Sequence, residues 1–396
     1  CIARGGAEHI LLNLMQQFLS LGHRVDSYVE VLNRERCFPE LLPGISIREL
    51  NKVFKGRYLS AFPILRASEM ALRIPGQYDI IHAHNFPSHI AAYIAKRLRR
   101  EHKKTPFIWQ CNEPLRILYD QAERDLYHRE AVRLPTRQRL MAKVGLRVME
   151  ASTKWVDKVA AKRATEIITL SKYVADQVMS LYGRRARVVN PGIDLKLFHV
   201  GLDDQMVREN LKIGDSPLLL TVSRLWPAKN LETALTAFRS VLRKHPEAYY
   251  IVIGEGPARQ GLLSLVKDME IDKKVLFLGE IEFSRLPLYY AACDVFVFPA
   301  IDEPWGLAPV EAMACGKPVI AAMGGGPAEF INHNRTGLLV PSTDPSSYAE
   351  AICTLLENHE LSRALGESAA QHVKKEFSWE RTVKKILSVY DLALQK

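Results

Sequence analysis

The sequence predicts an α/β protein built of two doubly wound domains, on three observations. Short β-rich runs alternate with helical patterns through the second half of the chain. Those runs show little polar alternation, as expected of parallel strands covered on both faces. The length of 396 residues exceeds what one core usually organises, so two domains of about 200 residues each are expected.

In the second half, strands are predicted at 217–223, 249–254, 275–279, 294–299, 318–322 and 336–340. Helices are predicted at Leu231 to Leu242, Leu262 to Met269, Leu286 to Ala292 and Leu307 to Ala314, then from Pro345 onward. The first half follows the same scheme: a helix from Ala7 to Leu19 stopped by Gly22, then strands at 24–30, 79–84, 106–110, 166–170 and 187–190. A basic helical segment lies between Leu115 and Arg163, including R-L-P-T-R-Q-R-L-M-A-K-V-G-L-R at 133–147. The turn-rich N-P-G-I-D-L-K-L-F places the seam near residue 198. The expected division is 1–198, 199–378, and a final helix 379–396 that returns to the first domain. The chain opens on R-G-G-A-E, which reads as a loop following a strand, so a first strand is expected to be missing.

Composition narrows the function classes. Hydrophobic residues at 47% and charged residues at 25% are ordinary for a globular protein. No stretch reaches the roughly 18 apolar residues of a membrane span, and no signal peptide opens the chain. The six cysteines are scattered without a C-x-x-C pair, which favours reduced packing thiols and a cytoplasmic setting. Residues 1–200 hold 33 Lys+Arg against 19 Asp+Glu, a net +14, and residues 201–396 hold 21 against 25, a net −4. A basic half suits an anionic partner. No zinc-finger spacing, basic zipper or aromatic RNA-binding signature is present, so nucleic acid is not expected. An anionic membrane surface, with the protein peripheral on its inner face, competes with a merely solvated basic helix pair.

Polar clusters fall at strand ends, where doubly wound sheets bind ligands. Arg224 and Lys229, beside a helix start, suit a diphosphate. G-E-G-P (254–257) offers Gly254, whose missing side chain lets a flat ligand approach the backbone. Glu303 ends the strand 294–299, Gly306, Leu307 and Ala308 present backbone amides at the next helix start, and Glu311 lies inside that helix. Carboxylate, amides and carboxylate in series suit a sugar–diphosphate–ribose ligand. His82 and His84 are read as a structural residue and a ligand contact in preference to a metal pair. With no D-x-D motif, no divalent ion is expected: the two cations and the helix end supply the positive field.

E-P-W-G-L-A-P-V-E (303–311) resembles the E-x7-E signature of retaining GT-B glycosyltransferases, specifically family four. G-G-A-E (5–8), I-H-A-H (81–84), V-N-P-G-I-D (189–194), S-R-L-W-P-A-K-N (223–230), G-G-G-P-A-E (324–329) and N-R-T-G-L-L-V (334–340) fit the same series in order. The resemblance implies two Rossmann-like domains and a nucleotide-sugar donor. Arg224 and Lys229 would then neutralise its diphosphate, Glu311 would hold the ribose, Glu303 the sugar hydroxyls, and the Ile281 backbone the base. Gly5 and Gly6 would form a loop over the diphosphate, and His84 would polarise a sugar hydroxyl. W-Q-C-N-E-P-L-R (109–116) resembles a stretch of some mannosyltransferases of the family, with Leu115 departing from the second proline. It makes GDP-mannose the preferred donor over UDP-glucose or UDP-N-acetylglucosamine, and Asn112, Glu113 and Arg116 candidates for a glycan or polyprenyl- or lipid-linked acceptor. A dinucleotide oxidoreductase would need G-x-G-x-x-G after a first strand, which is absent. A non-catalytic sugar-binding relative would keep the fold but need not keep His84, Arg224, Lys229, Glu303 and Glu311 together.

Overall fold

The computed structural model describes residues 5–30, 32–34, 37–50, 63–74, 77–114, 119 and 136–396, with the backbone alone for 63 and 136–149. Leu115, Arg116 and the start of the basic segment lie outside the described residues. The chain divides into two compact units: residues 1–190 with 382–396, and residues 191–381. The sequence reading had set these divisions at 198/199 and 378/379.

In the carboxyl-terminal unit the strands are β7 (Leu218–Val222), β8 (Tyr249–Ile253), β9 (Val275–Gly279), β10 (Val295–Phe298), β11 (Val319–Ala322) and β12 (Leu338–Val340). They form one sheet in the order β12-β11-β10-β7-β8-β9, with every pair parallel. Leu218 to Leu220, Val295 to Phe298 and Val319 to Ala322 are buried throughout, which is why these runs read as continuously apolar. Helices Leu231–Val241 and Pro345–Glu357 pack together on one face, with Leu235, Phe238, Tyr348 and Ile352 joining Leu219, Val252 and Val297 in a single core. Burying side chains of this size contributes roughly 1.5–3 kcal/mol each.

The strand order decides where a ligand can sit. From β7 the chain moves outward through β8 and β9, then crosses back to place β10 on the other side of β7. The loops leaving β7 and β10 therefore run in opposite directions from neighbouring carboxyl ends and open a crevice between them. Those are the loops carrying Arg224, Lys229 and Glu303.

The amino-terminal unit holds a parallel pair, β1 (Asp26–Val29) with β2 (Ser46–Glu49), and a parallel four-stranded sheet ordered β3 (Ile81–His84), β4 (Phe107–Cys111), β5 (Glu166–Thr169), β6 (Arg187–Val188). β2 and the helices Pro63–Arg73, Ser88–Leu98 and Lys172–Tyr182 were not expected from the sequence. The first two of these helices pack with Thr136–Arg163 through Ala67, Ile90, Ala91 and Ala160. The Asp157 carboxylate is buried there and accepts hydrogen bonds from His89 Nε2 (2.9 Å), Tyr182 Oη (2.9 Å) and the Tyr119 hydroxyl. Three donors compensate for the cost of burying that charge. The terminal helix Trp379–Leu394 fixes this unit from outside the sheet: Tyr390 Oη lies 2.6 Å from His82 Nδ1, and Thr382 Oγ1 donates to the Asn190 carbonyl at 2.9 Å.

Candidate active site

Backbone bonds stitch the loop after β7 to its neighbours. Ser223 N donates to the Ile253 carbonyl (3.0 Å) and Leu225 N to the Glu255 carbonyl (2.9 Å). The approach is closer than any side chain would permit. A Cβ on Gly254 would lie 1.9 Å from the Ser223 carbonyl oxygen, and one on Gly256 would lie 2.3 Å from that of Leu225. The sequence reading gave these glycines to a flat ligand. The structure gives them a different reason: the neighbouring loop occupies that space. Ser223 Oγ is buried without a hydrogen-bond partner, and Arg224 beside it is exposed.

The loop continues into a 3₁₀ turn, Pro227–Lys229, closed by Asn230 in the left-handed region at φ 52°. Asn230 Nδ2 donates to the carbonyls of Pro299 (3.2 Å) and Ser342 (2.7 Å), tying the turn to the end of β10. Ile301 N returns a bond to the Ala228 carbonyl at 3.0 Å. Held this way, Lys229 Nζ forms an ion pair with the Glu303 carboxylate. The two side chains are 18% and 15% exposed, so the pair is sheltered and still within reach of a ligand.

The Glu303 loop is positioned from a second direction. Gly326 N donates to the Glu303 carbonyl at 2.7 Å. A Cβ on Gly325 (φ +62°) would lie 2.6 Å from that same oxygen, and one on Gly326 would lie 2.4 Å from the Pro304 carbonyl oxygen. G-G-G-P-A-E thus holds the backbone that presents Glu303. Trp305 anchors the loop beneath, buried against Phe330 with ring centroids 4.8 Å apart.

The helix Leu307–Ala314 begins at Gly306 (φ 90°), which has no side chain to cap it. Its first amides have no partner inside the helix, and Pro309 has none to give, so Leu307 and Ala308 are the available donors of that turn. Glu311, one turn in, is 5% exposed and accepts a 2.7 Å hydrogen bond from Tyr290 Oη. Burial pushes its pKa up to about 7, with the Tyr290 hydroxyl pulling the other way. If Glu311 receives two ribose hydroxyls, as the resemblance implies, it works best ionised, and nucleotide-sugar affinity should rise with pH. The ionised fraction of a group near 7 grows up to about tenfold between pH 6 and pH 8, and affinity should follow. A nucleotide sugar suits this titration because its diphosphate is esterified at both ends. A flat profile in the parent protein, or an unchanged slope in Glu311→Gln, contradicts the assignment.

In the amino-terminal unit, Gly5 is the N-cap of the helix Gly6–Ser20, and Glu8 Oε2 lies 2.5 Å from where a Gly5 Cβ would stand. His84 ends β3 with Nδ1 buried and unpartnered. Burial lowers its pKa to about 4, so it is a neutral imidazole able to bond a hydroxyl. Its ring centroid lies 4.2 Å from that of His82. At the end of β4, Gln110 Nε2 donates to Asn112 Oδ1 (3.1 Å), while Gln110 Oε1 and Asn112 Nδ2 are buried without partners. Glu113 is half-buried, and Ile281, in the other unit, follows β9 half-buried. Tyr290, Asn230 and Gln110 were missed by the sequence reading. An apolar-run argument cannot separate Tyr290 from Tyr289, and the motifs that include Asn230 and Gln110 gave neither residue a role.

Residues 203–372 match the family model "Glycosyl transferases group 1", and residues 4–197 match "Glycosyltransferase Family 4". The D-inositol 3-phosphate glycosyltransferase of Acidothermus cellulolyticus is 30% identical over 423 residues, covering 100% of this chain and 87% of its own. The GDP-mannose-dependent alpha-(1-6)-phosphatidylinositol monomannoside mannosyltransferase of Mycobacterium tuberculosis is 30% identical over 233 residues, 56% of this chain and 60% of its own. Among solved structures, Anabaena Alr3699/HepE in complex with UDP-glucose superposes with TM-score 0.75 at 22% identity, covering 98% of this chain and 96% of that one. The parallel sheets in two units are the GT-B architecture, and the chain is a member of glycosyltransferase family 4, a retaining enzyme that moves a sugar from a nucleotide-sugar donor.

Proposed function

We propose that the chain transfers mannose from GDP-mannose to a glycan or a polyprenyl- or other lipid-linked acceptor. The observation that carries the donor choice is W-Q-C-N-E-P-L-R, which places buried, unpartnered polar atoms of Gln110 and Asn112 at the end of β4 and is similar to mannosyltransferases of the family. A relative named as GDP-mannose-dependent supports the same reading.

In this reading Arg224 and Lys229 neutralise the diphosphate, joined by the amides of Leu307 and Ala308 beside Gly306. Glu311 takes the ribose diol, Glu303 the sugar hydroxyls, and the Ile281 backbone the base, with Gly254 at the turn beside them. To the amino-terminal unit the reading assigns Gly5, Gly6 and His84 on the donor, and Asn112, Glu113 and Arg116 on the acceptor. Retention follows from front-face displacement. The bond from the anomeric carbon to the diphosphate breaks, the acceptor oxygen bonds on the same face, and the departing diphosphate takes the acceptor's proton. The cations and the helix end stabilise the charge that develops on the leaving oxygen, which makes a divalent ion unnecessary.

A second reading, a UDP-sugar donor, is favoured by the Anabaena protein solved with UDP-glucose. Among the described residues no helix is long and apolar enough to cross a membrane. A lipid-linked acceptor would be met at a membrane surface, where the +14 of residues 1–200 favours anionic lipid. One experiment addresses both points: radiolabelled transfer from GDP-mannose, UDP-glucose and UDP-N-acetylglucosamine to lipid acceptors in anionic or zwitterionic vesicles. GDP-mannose should be preferred by at least about tenfold, equivalent to about 1.4 kcal/mol, and anionic vesicles should raise the rate. Preference for a UDP-sugar overturns the donor assignment, and indifference to lipid charge overturns the membrane one.

A further inference from the structure

Among the described residues, His245, Cys353 and Glu357 bring one nitrogen, one sulfur and one carboxylate oxygen within 4.8 Å of one another. Nothing in the transfer chemistry uses them. Cys353 and Glu357 are one turn apart on the helix Pro345–Glu357, and His245 follows the helix Leu231–Val241 packed against it. Both helices start on the donor side, since Asn230 at the head of one bonds Ser342 ahead of the other. Their far ends, at about 1.5 Å per residue, lie roughly 16–20 Å away, at the amino-terminal edge of the sheet.

The three side chains differ in exposure in a useful way. Cys353 is buried, the His245 side chain is 17% exposed and the Glu357 side chain 51%. His245 Nε2 is buried, makes no hydrogen bond and stands 3.5 Å from Glu357 Oε1. Its other nitrogen, Nδ1, faces Glu247 Oε1 at 3.8 Å.

We propose that His245 Nε2, Cys353 Sγ and Glu357 Oε1 form a zinc-binding site that clasps the far ends of these two helices. Nitrogen, thiolate and carboxylate together suit Zn²⁺, and an imidazole–carboxylate separation of about 3.3–3.6 Å is the edge of a tetrahedron with bonds near 2.1 Å. One thiolate and one carboxylate balance the two positive charges of the ion. The thiol releases its proton to solvent as the Zn–S bond forms, and water takes the fourth position. The Glu247 carboxylate, 3.8 Å from Nδ1, favours a proton on that nitrogen by charge and so leaves Nε2 for the metal. Lys244 Nζ lies 3.7 Å from Glu357, but its side chain is 65% exposed and is free to turn into solvent.

The test uses the full chain, stripped of metal and titrated with Zn²⁺ by calorimetry and with Co²⁺ by absorption. One equivalent should bind, the cobalt form should show a thiolate-to-metal charge-transfer band, and Zn²⁺ should raise the melting temperature. Cys353→Ser and His245→Ala should each weaken binding by at least about tenfold, and Cys353→Ser should abolish the band. The absence of stoichiometric binding, a cobalt spectrum without the thiolate band, or unchanged affinity in both variants overturns the site. The parent protein's cobalt spectrum decides the matter even if a variant fails to fold.

Discussion

Lys229→Met should lower kcat/KM by about 10²–10³-fold, the loss expected when one preorganised donor to a developing anion is removed. Two effects combine. The cation that would meet the leaving diphosphate is gone, and the sheltered Glu303 carboxylate loses its ion-pair partner. They can be separated. In the proposed reading Glu303 holds sugar hydroxyls, so Glu303→Gln should impair transfer while leaving affinity for a nucleoside diphosphate close to the parent value. Lys229→Met should weaken that affinity as well. In the double variant the losses should not add, because each single change already breaks the pair. If Lys229→Met binds nucleoside diphosphate as the parent does, Lys229 serves only to hold Glu303 and its role on the phosphate is wrong.

Gly254→Ala should destabilise the carboxyl-terminal unit by about 2–5 kcal/mol, combining strain in the left-handed half of conformational space with overpacking. The new methyl would stand 1.9 Å from the Ser223 carbonyl oxygen and 2.9 Å from its carbon, at a φ of +132°. Both atoms are backbone, so no rotamer relieves the clash and the loop bearing Arg224 must move. A fall in melting temperature of about 5–15 °C is expected for a unit of this size, together with weaker donor binding. Gly261→Ala is the control. It lies inside the helix Arg259–Asp268 with nothing within 4 Å of its added methyl, and should stabilise by about 0.5–1 kcal/mol. Equal melting temperatures for Gly254→Ala and the parent would contradict this reading of the loop contact.

The carboxyl-terminal unit was legible because its strands are buried apolar runs bounded by Gly and Pro. Val275–Gly279, Leu286–Ala292 and Leu307–Ala314 occur as read. The amino-terminal unit was less so, for physical reasons that differ by element. β2, S-I-R-E, is four residues of mostly exposed polar chain and carries no hydrophobic signal. The helix Lys172–Tyr182 carried one that went unread: Ser171 accepts from Val174 N as its N-cap, and Gly183 ends it in the left-handed region. At the site, the strand-end positions of Arg224, Lys229 and Glu303 were visible. The Lys229–Glu303 pair was not, since 74 residues separate the two and only the adjacency of β7 and β10 joins them. The glycines of G-E-G-P were assigned to a ligand and those of G-G-G-P-A-E carried no stated role, whereas Gly254, Gly256, Gly325 and Gly326 are required first by backbone packed against backbone.

The most direct measurement is a crystal structure of the full chain with an intact nucleotide sugar. The account expects the ribose hydroxyls within hydrogen-bond distance of Glu311, the sugar hydroxyls on Glu303, and the diphosphate between Lys229, Arg224 and the amides of Leu307 and Ala308. A nucleotide bound away from the crevice between the β7 and β10 loops, or seated there with its ribose turned from Glu311, would contradict it.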